Sequence, residues 1–185
     1  MIPIRYHNIF KIFLLLLFKT IHQIYLLMDN FKDNWDLWYH SINDNNWTKG
    51  SYQKIHRITS ILDYKYVVET FQQDHYQNGM FFCMKEDIFP NWEDPDNRNG
   101  GCLSFKIPST QIINGWEELL LKCFTENILD PEYSDEINGI SISPKKEFNI
   151  IKIWFKNSTF EYQKHFSEEG TFLNLQNTLY KKHEF

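Results

Sequence analysis

An α+β fold, with helices laid over one face of an antiparallel sheet, is what this sequence predicts, and three observations predict it. From residue 34 onward, short stretches of apolar–polar alternation recur between turns rich in Asn, Asp, Gly and Pro. Two other stretches carry apolar residues at helical spacing instead. The chain has 185 residues, 42% hydrophobic and 17% aromatic, enough for one domain with a sizeable core and cramped for two.

The elements follow in order. Trp35-x-x-Trp38-Tyr39 predicts a first strand, and the Asn- and Asp-rich stretch from Ser41 to Gly50 a loop. Gln53 to Ile58 predicts a second strand. Asp63 is the expected N-cap of a helix carrying Tyr66, Val67, Val68 and Phe71. Met80-Phe-Phe-Cys-Met84 reads as a strand, and Pro90 to Gly101, with two prolines and a Gly-Gly pair, as a long structured loop. Leu103, Phe105 and Ile107 alternate with Ser104 and Lys106, the period of a half-buried strand. Asn114 and Glu117 have capping-box spacing and introduce Trp116, Leu119, Leu120, Cys123 and Phe124, a helical stripe. Gly139–Ser143 and Ile150–Phe155 predict two strands joined by a Pro144-Lys-Lys turn. Beyond Lys156 only one helical piece and a basic tail are expected. One sheet face would then lie open, and aromatics exposed there would need a reason.

Residues 1–28 form a separate hydrophobic and basic extension. Arg5 and Lys11 precede the apolar run Ile12–Phe18, and Lys19, His22 and Gln23 interrupt it before Ile24–Met28. An uninterrupted apolar stretch of about 20 residues is missing, and so is a small-residue cleavage site. Three readings stay open: an upstream extension with Met28 as the working start, a targeting or membrane segment, and an amphipathic partner-binding helix. The domain proper is read as residues 29–185.

Charge and cysteines exclude some functions. A formal net charge of -5 gives no global basic field for a long duplex, yet a local patch would suffice for a short charged ligand. Cys83, Cys102 and Cys123 form no CxxC or Cys/His set, so a structural metal is not expected, and the spacing suits a reduced intracellular protein. His56, His75 and His165 lack partners at a recognisable spacing, and Gly100-Gly101 lacks the pattern of a phosphate-binding loop. No nucleophile, metal set or acid–base pair marks an enzyme.

The densest signal is Trp92-Glu93-Asp94-Pro95-Asp96-Asn97-Arg98-Asn99-Gly100-Gly101. A methylated guanine carries positive charge and gains from stacking between electron-rich rings. A fixed carboxylate at its edge can accept from N1–H and the exocyclic amine together. Trp92 and Glu93 fit those two tasks. They also fit an indole packed within its own loop beside a solvated carboxylate.

An ordered series of motifs adds a resemblance. Asn34-Trp35-x-Leu37-Trp38, Tyr52-Gln53 followed at the expected distance by Asp63, and Trp92-Glu93-Asp94 with Asn97 and Gly100-Gly101 come first. Trp116 with Leu120-Leu121, Tyr133-Ser134-Asp135, Gly139 and Ile151-x-Ile153-Trp154 follow in order. Over roughly residues 30–155 the chain resembles the eukaryotic initiation factor 4E family.

The resemblance implies one curved antiparallel sheet of about six to eight strands, with about three helices on its convex face. It implies binding of the 7-methylguanosine 5′ cap of mRNA in the cytoplasm, no cofactor, no enzymatic step and no DNA partner. A membrane contact would need the N-terminal segment. Trp92 and Glu93 match the family's second stacking residue and its guanine-reading carboxylate. Tyr52 matches the first stacking position, usually Trp, as in homologues that act as repressors. Trp47 is its rival, because the loop before Tyr52 is about four residues longer than usual, and Tyr52 is favoured on spacing. Lys145 falls on a phosphate-binding arginine, with Lys146 or Lys152 as compensation for Ile150, which replaces a lysine. Cys102 likewise replaces a basic residue.

A helical scaffold or regulatory protein would bind the dorsal side. The family's dorsal tryptophan falls on Val68 or Glu69, and its His-Pro-Leu element reads Asp29-Asn30-Phe31. Phe31, Trp35, Trp116, Leu120 and Leu121 are the further candidates for that surface, although Trp116 and Leu120 also read as core. An initiation factor, a cap-binding repressor or decoy that misses the scaffold, and a module that kept only the fold are the three functional readings.

Overall fold

The computed structural model describes residues 30–167, 172–173 and 175–184, together with Leu17 and Lys19. The expected N-terminal extension otherwise lies outside the described residues. Among those described, no helix is long and apolar enough to cross a membrane.

Seven antiparallel strands form one curved sheet in the order β2-β1-β3-β5-β6-β4-β7. They are β1 (Asn30–Ser41), β2 (Tyr52–Ser60), β3 (Gly79–Lys85), β4 (Gly101–Pro108), β5 (Ile137–Pro144), β6 (Phe148–Phe155) and β7 (Thr178–Lys182). Helices α1 (Ile61–Thr70), α2 (Gln73–Asn78) and α3 (Ile112–Phe124) cover one face. The expected α+β architecture is therefore present.

The alternation along each strand sorts side chains between two cores. Trp35 and Leu37 of β1 turn toward the helices and join Ile58, Leu103, Ile140, Ile153 and the α3 stripe in the main core. Trp38, one step out of phase, joins a smaller cluster on the other face with Tyr52, Phe82, Met84, Cys102 and Trp154. The stripe Trp116, Leu119, Leu120, Cys123 and Phe124 is buried as the spacing predicts. Gly115 lets α3 lie close to the sheet, since a Cβ there would sit 1.9 Å from the Ile107 Cδ1.

Four local expectations are corrected. Ser60, not Asp63, caps α1. The Ser60 hydroxyl accepts from the Asp63 N–H, while Asp63 Oδ2 accepts from the backbone and hydroxyls of Thr59 and Ser60 at 2.9–3.0 Å. Asp63 is thus the third helical residue of a capping box. Likewise Asn114 does not start α3. The 3₁₀ turn Ser109–Gln111 runs straight into the helix at Ile112, with Gln111 at the cap and no side-chain hydrogen bond there. Helix α2 was not expected, because it is short and polar and buries only Tyr76. The basic tail is β7, paired along β4 from Gly101↔Lys182 to Phe105↔Thr178. Its pattern is faint because it is an edge strand with little buried surface.

Candidate functional site

Opposite the helices, the sheet carries a cleft of about 580 Å³. Phe82 of β3 and Trp154 of β6 form part of its floor, with Tyr52 at the first position of β2. Trp154 is fixed by its Nε1–H, which donates to the Ser141 hydroxyl at 2.9 Å. Two loops then raise the walls: Trp47 comes from the β1–β2 loop, and Pro90 to Glu93 from the β3–β4 loop. Lys145, in the β5–β6 turn, and Lys152, on β6, supply cations at one end. Lys146 is exposed and does not line the cleft. It is the one sequence-predicted cap residue that the fold leaves outside.

The two candidate stacking residues have different surroundings. Tyr52 is 9% exposed. Its ring meets His40 at 4.7 Å, Phe89 at 4.9 Å and Phe82 at 5.6 Å, at interplanar angles of 59–66°. Burial pushes its hydroxyl pKa up to about 12. Trp47 is 50% exposed and lies flat on the His40 ring, with centroids 4.2 Å apart and planes 2° from parallel. The buried His40 holds the loop, its ring nitrogens lying 2.9 Å from the carbonyls of Ser41 and Asn46. One face of the Trp47 indole is therefore taken by the protein.

The β3–β4 loop is built around Asn97, which is fully buried. Its amide donates to the carbonyls of Phe89 at 3.0 Å and Asn91 at 2.9 Å, and its Oδ1 accepts from Asn138 Nδ2 at 3.0 Å. Asn138 also donates to the Asp96 carbonyl at 2.7 Å. Asp94 accepts from the Asp96 N–H, and the Asn91 side chain accepts from the Glu93 N–H. These Asx turns present Trp92, 42% exposed, and the exposed Glu93 at the rim. The Glu93 carboxylate has no ion-pair partner among the described residues. Gly100 closes the loop against β6, where a Cβ would lie 1.8 Å from the Phe155 carbonyl oxygen.

His183 was not singled out in the sequence. Its Nδ1–H donates to the Asn97 carbonyl at 2.7 Å, which leaves Nε2 to accept from the Cys102 thiol at 3.2 Å. Burial pushes the Cys102 thiol up to about 12, so this pair clasps the C-terminal strand to the loop rather than forming a nucleophile. The three histidines whose sequence spacing marks no partner each lie near a carboxylate, His56 3.5 Å from Asp63, His75 3.4 Å from Asp74 and His165 3.6 Å from Asp130. None of the three lines the cleft. Beside the cleft, Asp36 is buried and bonds Lys54 at 2.6 Å and Arg57 at 2.9 Å. Burial alone would raise its carboxyl pKa, but these cationic hydrogen bonds outweigh it and hold the pKa below the usual range.

On the helix side the predicted partner residues divide. Trp35, Trp116 and Leu120 are buried in the main core, Trp35 packing on Phe124 at 5.5 Å. They cannot meet a partner without unfolding, because their apolar surface already serves the sheet–helix contact. Phe31 and Val68 are half-buried, while Glu69 and Leu121 are exposed. Leu62 and Tyr66 are also exposed there, a feature their amphipathic spacing alone does not reveal.

The family model for eukaryotic initiation factor 4E matches residues 30–184. A rice relative named eukaryotic translation initiation factor NCBP (Oryza sativa subsp. japonica) is 33% identical over 75 residues, which is 40% of this chain and 32% of that protein. Eukaryotic translation initiation factor 4E of Dictyostelium discoideum is 27% identical over 143 residues, 74% of this chain and 56% of that one. The chain thus spans about a third of the length of the plant relatives it matches. Two solved structures share the fold. C. elegans eIF4E-3 with the 4E-binding protein Mextli has TM-score 0.64 and 21% identity, covering 71% of this chain and 78% of that one. Ascaris suum eIF4E-3 with an m7G cap has TM-score 0.63 and 18% identity, covering 70% and 74%.

Proposed function

The chain belongs to the eukaryotic initiation factor 4E family, and on that premise we propose that it binds the 7-methylguanosine 5′ cap of mRNA in translation initiation. It does so without chemistry of its own. The observation that carries this reading is the cleft itself. Two part-exposed indoles from separate loops, Trp47 and Trp92, border it beside two lysines and the Glu93 carboxylate, which has no ion-pair partner among the described residues. A cationic purine between the indoles gains cation–π attraction and dispersion. Glu93 accepts from its N1–H and amine, while Lys145 and Lys152 face its phosphates.

Within this reading Trp47, rather than Tyr52, is the first stacking residue. Its outer face is available and its inner face is already stiffened by His40, whereas Tyr52 is buried among rings set edge-on or tilted to it. Tyr52 serves as floor. A helical scaffold or regulatory protein would meet the helix side through Leu121, Glu69, Val68 and Phe31. Val68 or Glu69 stands where the family carries a tryptophan, and that favours a second reading, a cap-binding repressor that does not recruit the scaffold. Three free, buried cysteines accord with a cytoplasmic setting.

The test is a tryptophan-fluorescence titration of the full chain with 7-methyl-GTP against GTP. Methyl-dependent quenching that Glu93→Ala weakens at least tenfold is the expected result. Equal responses to both nucleotides from a folded protein would reject cap recognition.

A further inference from the structure

The apolar and basic residues ahead of β1 have no part in the cleft, yet their order is regular. A helix turns about 100° per residue. At that pitch Phe10, Phe13, Leu14, Leu17, Ile21 and Ile24 fall on one stripe, three or four residues apart. Asn8, Lys11, Lys19, His22 and Gln23 fall within about 120° on the opposite side, where Ile12 and Leu15 intrude. The spacing therefore predicts an amphipathic helix with a broad apolar face. Leu17 and Lys19 agree with it, since both are helical and both exposed, Leu17 at 46%. A leucine of the apolar stripe is thus left uncovered by the domain.

Charge points to what covers it. Residues 1–28 hold Arg5, Lys11 and Lys19 and no Asp or Glu. They carry +3, and because the whole chain carries -5 the remainder carries -8. A helix with Phe and Leu on one face and Lys on the other suits the boundary of an anionic bilayer. Its apolar face enters the acyl region while the lysines meet the headgroups. Spanning the bilayer would instead carry Lys11, Lys19, His22 and Gln23 into hydrocarbon, which disfavours it.

The fold keeps such an attachment away from the site. Strand β1 begins at Asn30, which pairs with Ser60, and reaches the cleft at His40, which pairs with Tyr52. The segment therefore joins the sheet roughly 35 Å along β1 from the cleft. We infer that residues 8–28 hold the protein on the surface of an anionic membrane. This inference does not depend on what the cleft binds.

The full chain would be floated with vesicles of phosphatidylcholine, with or without about 30% phosphatidylserine. It should float with the anionic vesicles, and about 0.5 M salt should weaken that binding. Lys11→Gln with Lys19→Gln should weaken it roughly 25-fold, and Leu14→Asp with Leu17→Asp should abolish it. Both variants should melt and bind 7-methyl-GTP as the parent protein does, so a failure of cap recognition would show separately. A chain that floats with neither vesicle would overturn the inference. So would equal, salt-resistant flotation with both, the mark of a spanning segment. Without flotation, leucine-dependent pelleting in the absence of lipid would give the stripe to a second copy. Lysine-dependent binding of an uncapped RNA, again without flotation, would give the basic face to nucleic acid.

Discussion

Replacing Trp47 and Tyr52 separately by leucine tests how the cap is stacked. Trp47 offers one free indole face, the other lying 4.2 Å from His40. A base stacked on an aromatic side chain contributes about 1–3 kcal/mol. Trp47→Leu should therefore weaken 7-methyl-GTP binding by roughly 5–150-fold. Its stability loss should stay near the 0.5–1.5 kcal/mol of one aromatic pair, approximately, since half the ring is already in water. Tyr52→Leu removes a buried ring from the small core, so it should lower the melting temperature while changing affinity only about threefold or less. Fluorescence or calorimetric titration gives the affinities, and thermal melts of the same samples give the stabilities. A larger affinity loss for Tyr52→Leu than for Trp47→Leu, in folded proteins, would refute the assignment.

Asn97→Ala would remove three hydrogen bonds from a buried site, two to the carbonyls of Phe89 and Asn91 and one from the Asn138 amide, costing about 1–3 kcal/mol. It should also weaken cap binding, because Trp92 and Glu93 ride on that loop; denaturant melts and titration check both. The Asp36 pKa is lowered in the fold, so its ion pairs stabilise fully above the unfolded carboxyl value near 4, roughly, and are lost as pH falls through the folded value. Asp36→Asn should therefore flatten the loss of stability below about pH 4, and a slope equal to that of the parent protein would contradict the account. Trp116→Ala should destabilise by about 3–5 kcal/mol, the penalty of emptying a core site, whereas Leu121→Ala should stay within about 1 kcal/mol. Equal, small effects on melting would place Trp116 at the surface.

Much of the sheet could be read along the chain because period-two alternation reports a half-buried strand without any knowledge of its neighbours. Leu103, Phe105 and Ile107 are buried as their spacing requires, and so is the α3 stripe. The elements missed have weak local signals. Helix α2 buries one residue, and β7 is an edge strand whose pairing with β4 is set by contacts across the whole chain. Helix starts were displaced for a related reason: Ser60 caps α1 because Asp63 folds back on it, a choice that turns on backbone geometry.

The sequence by itself determined the fold class, the family and the Trp92–Glu93 loop, because these rest on hydrophobic period and on the order of motifs along one line. The tertiary structure alone decided that Trp47 and Tyr52 share a cleft but differ in exposure, and that Lys146 stands outside it while Lys152 faces in. It alone decided that Trp116 and Leu120 are core and that Lys181 and Lys182 of the distant tail border a second cleft beside the first. Burial, ring orientation and charge pairing depend on which atoms of remote segments meet, and strand register, which brings those segments side by side, cannot be read from one segment alone.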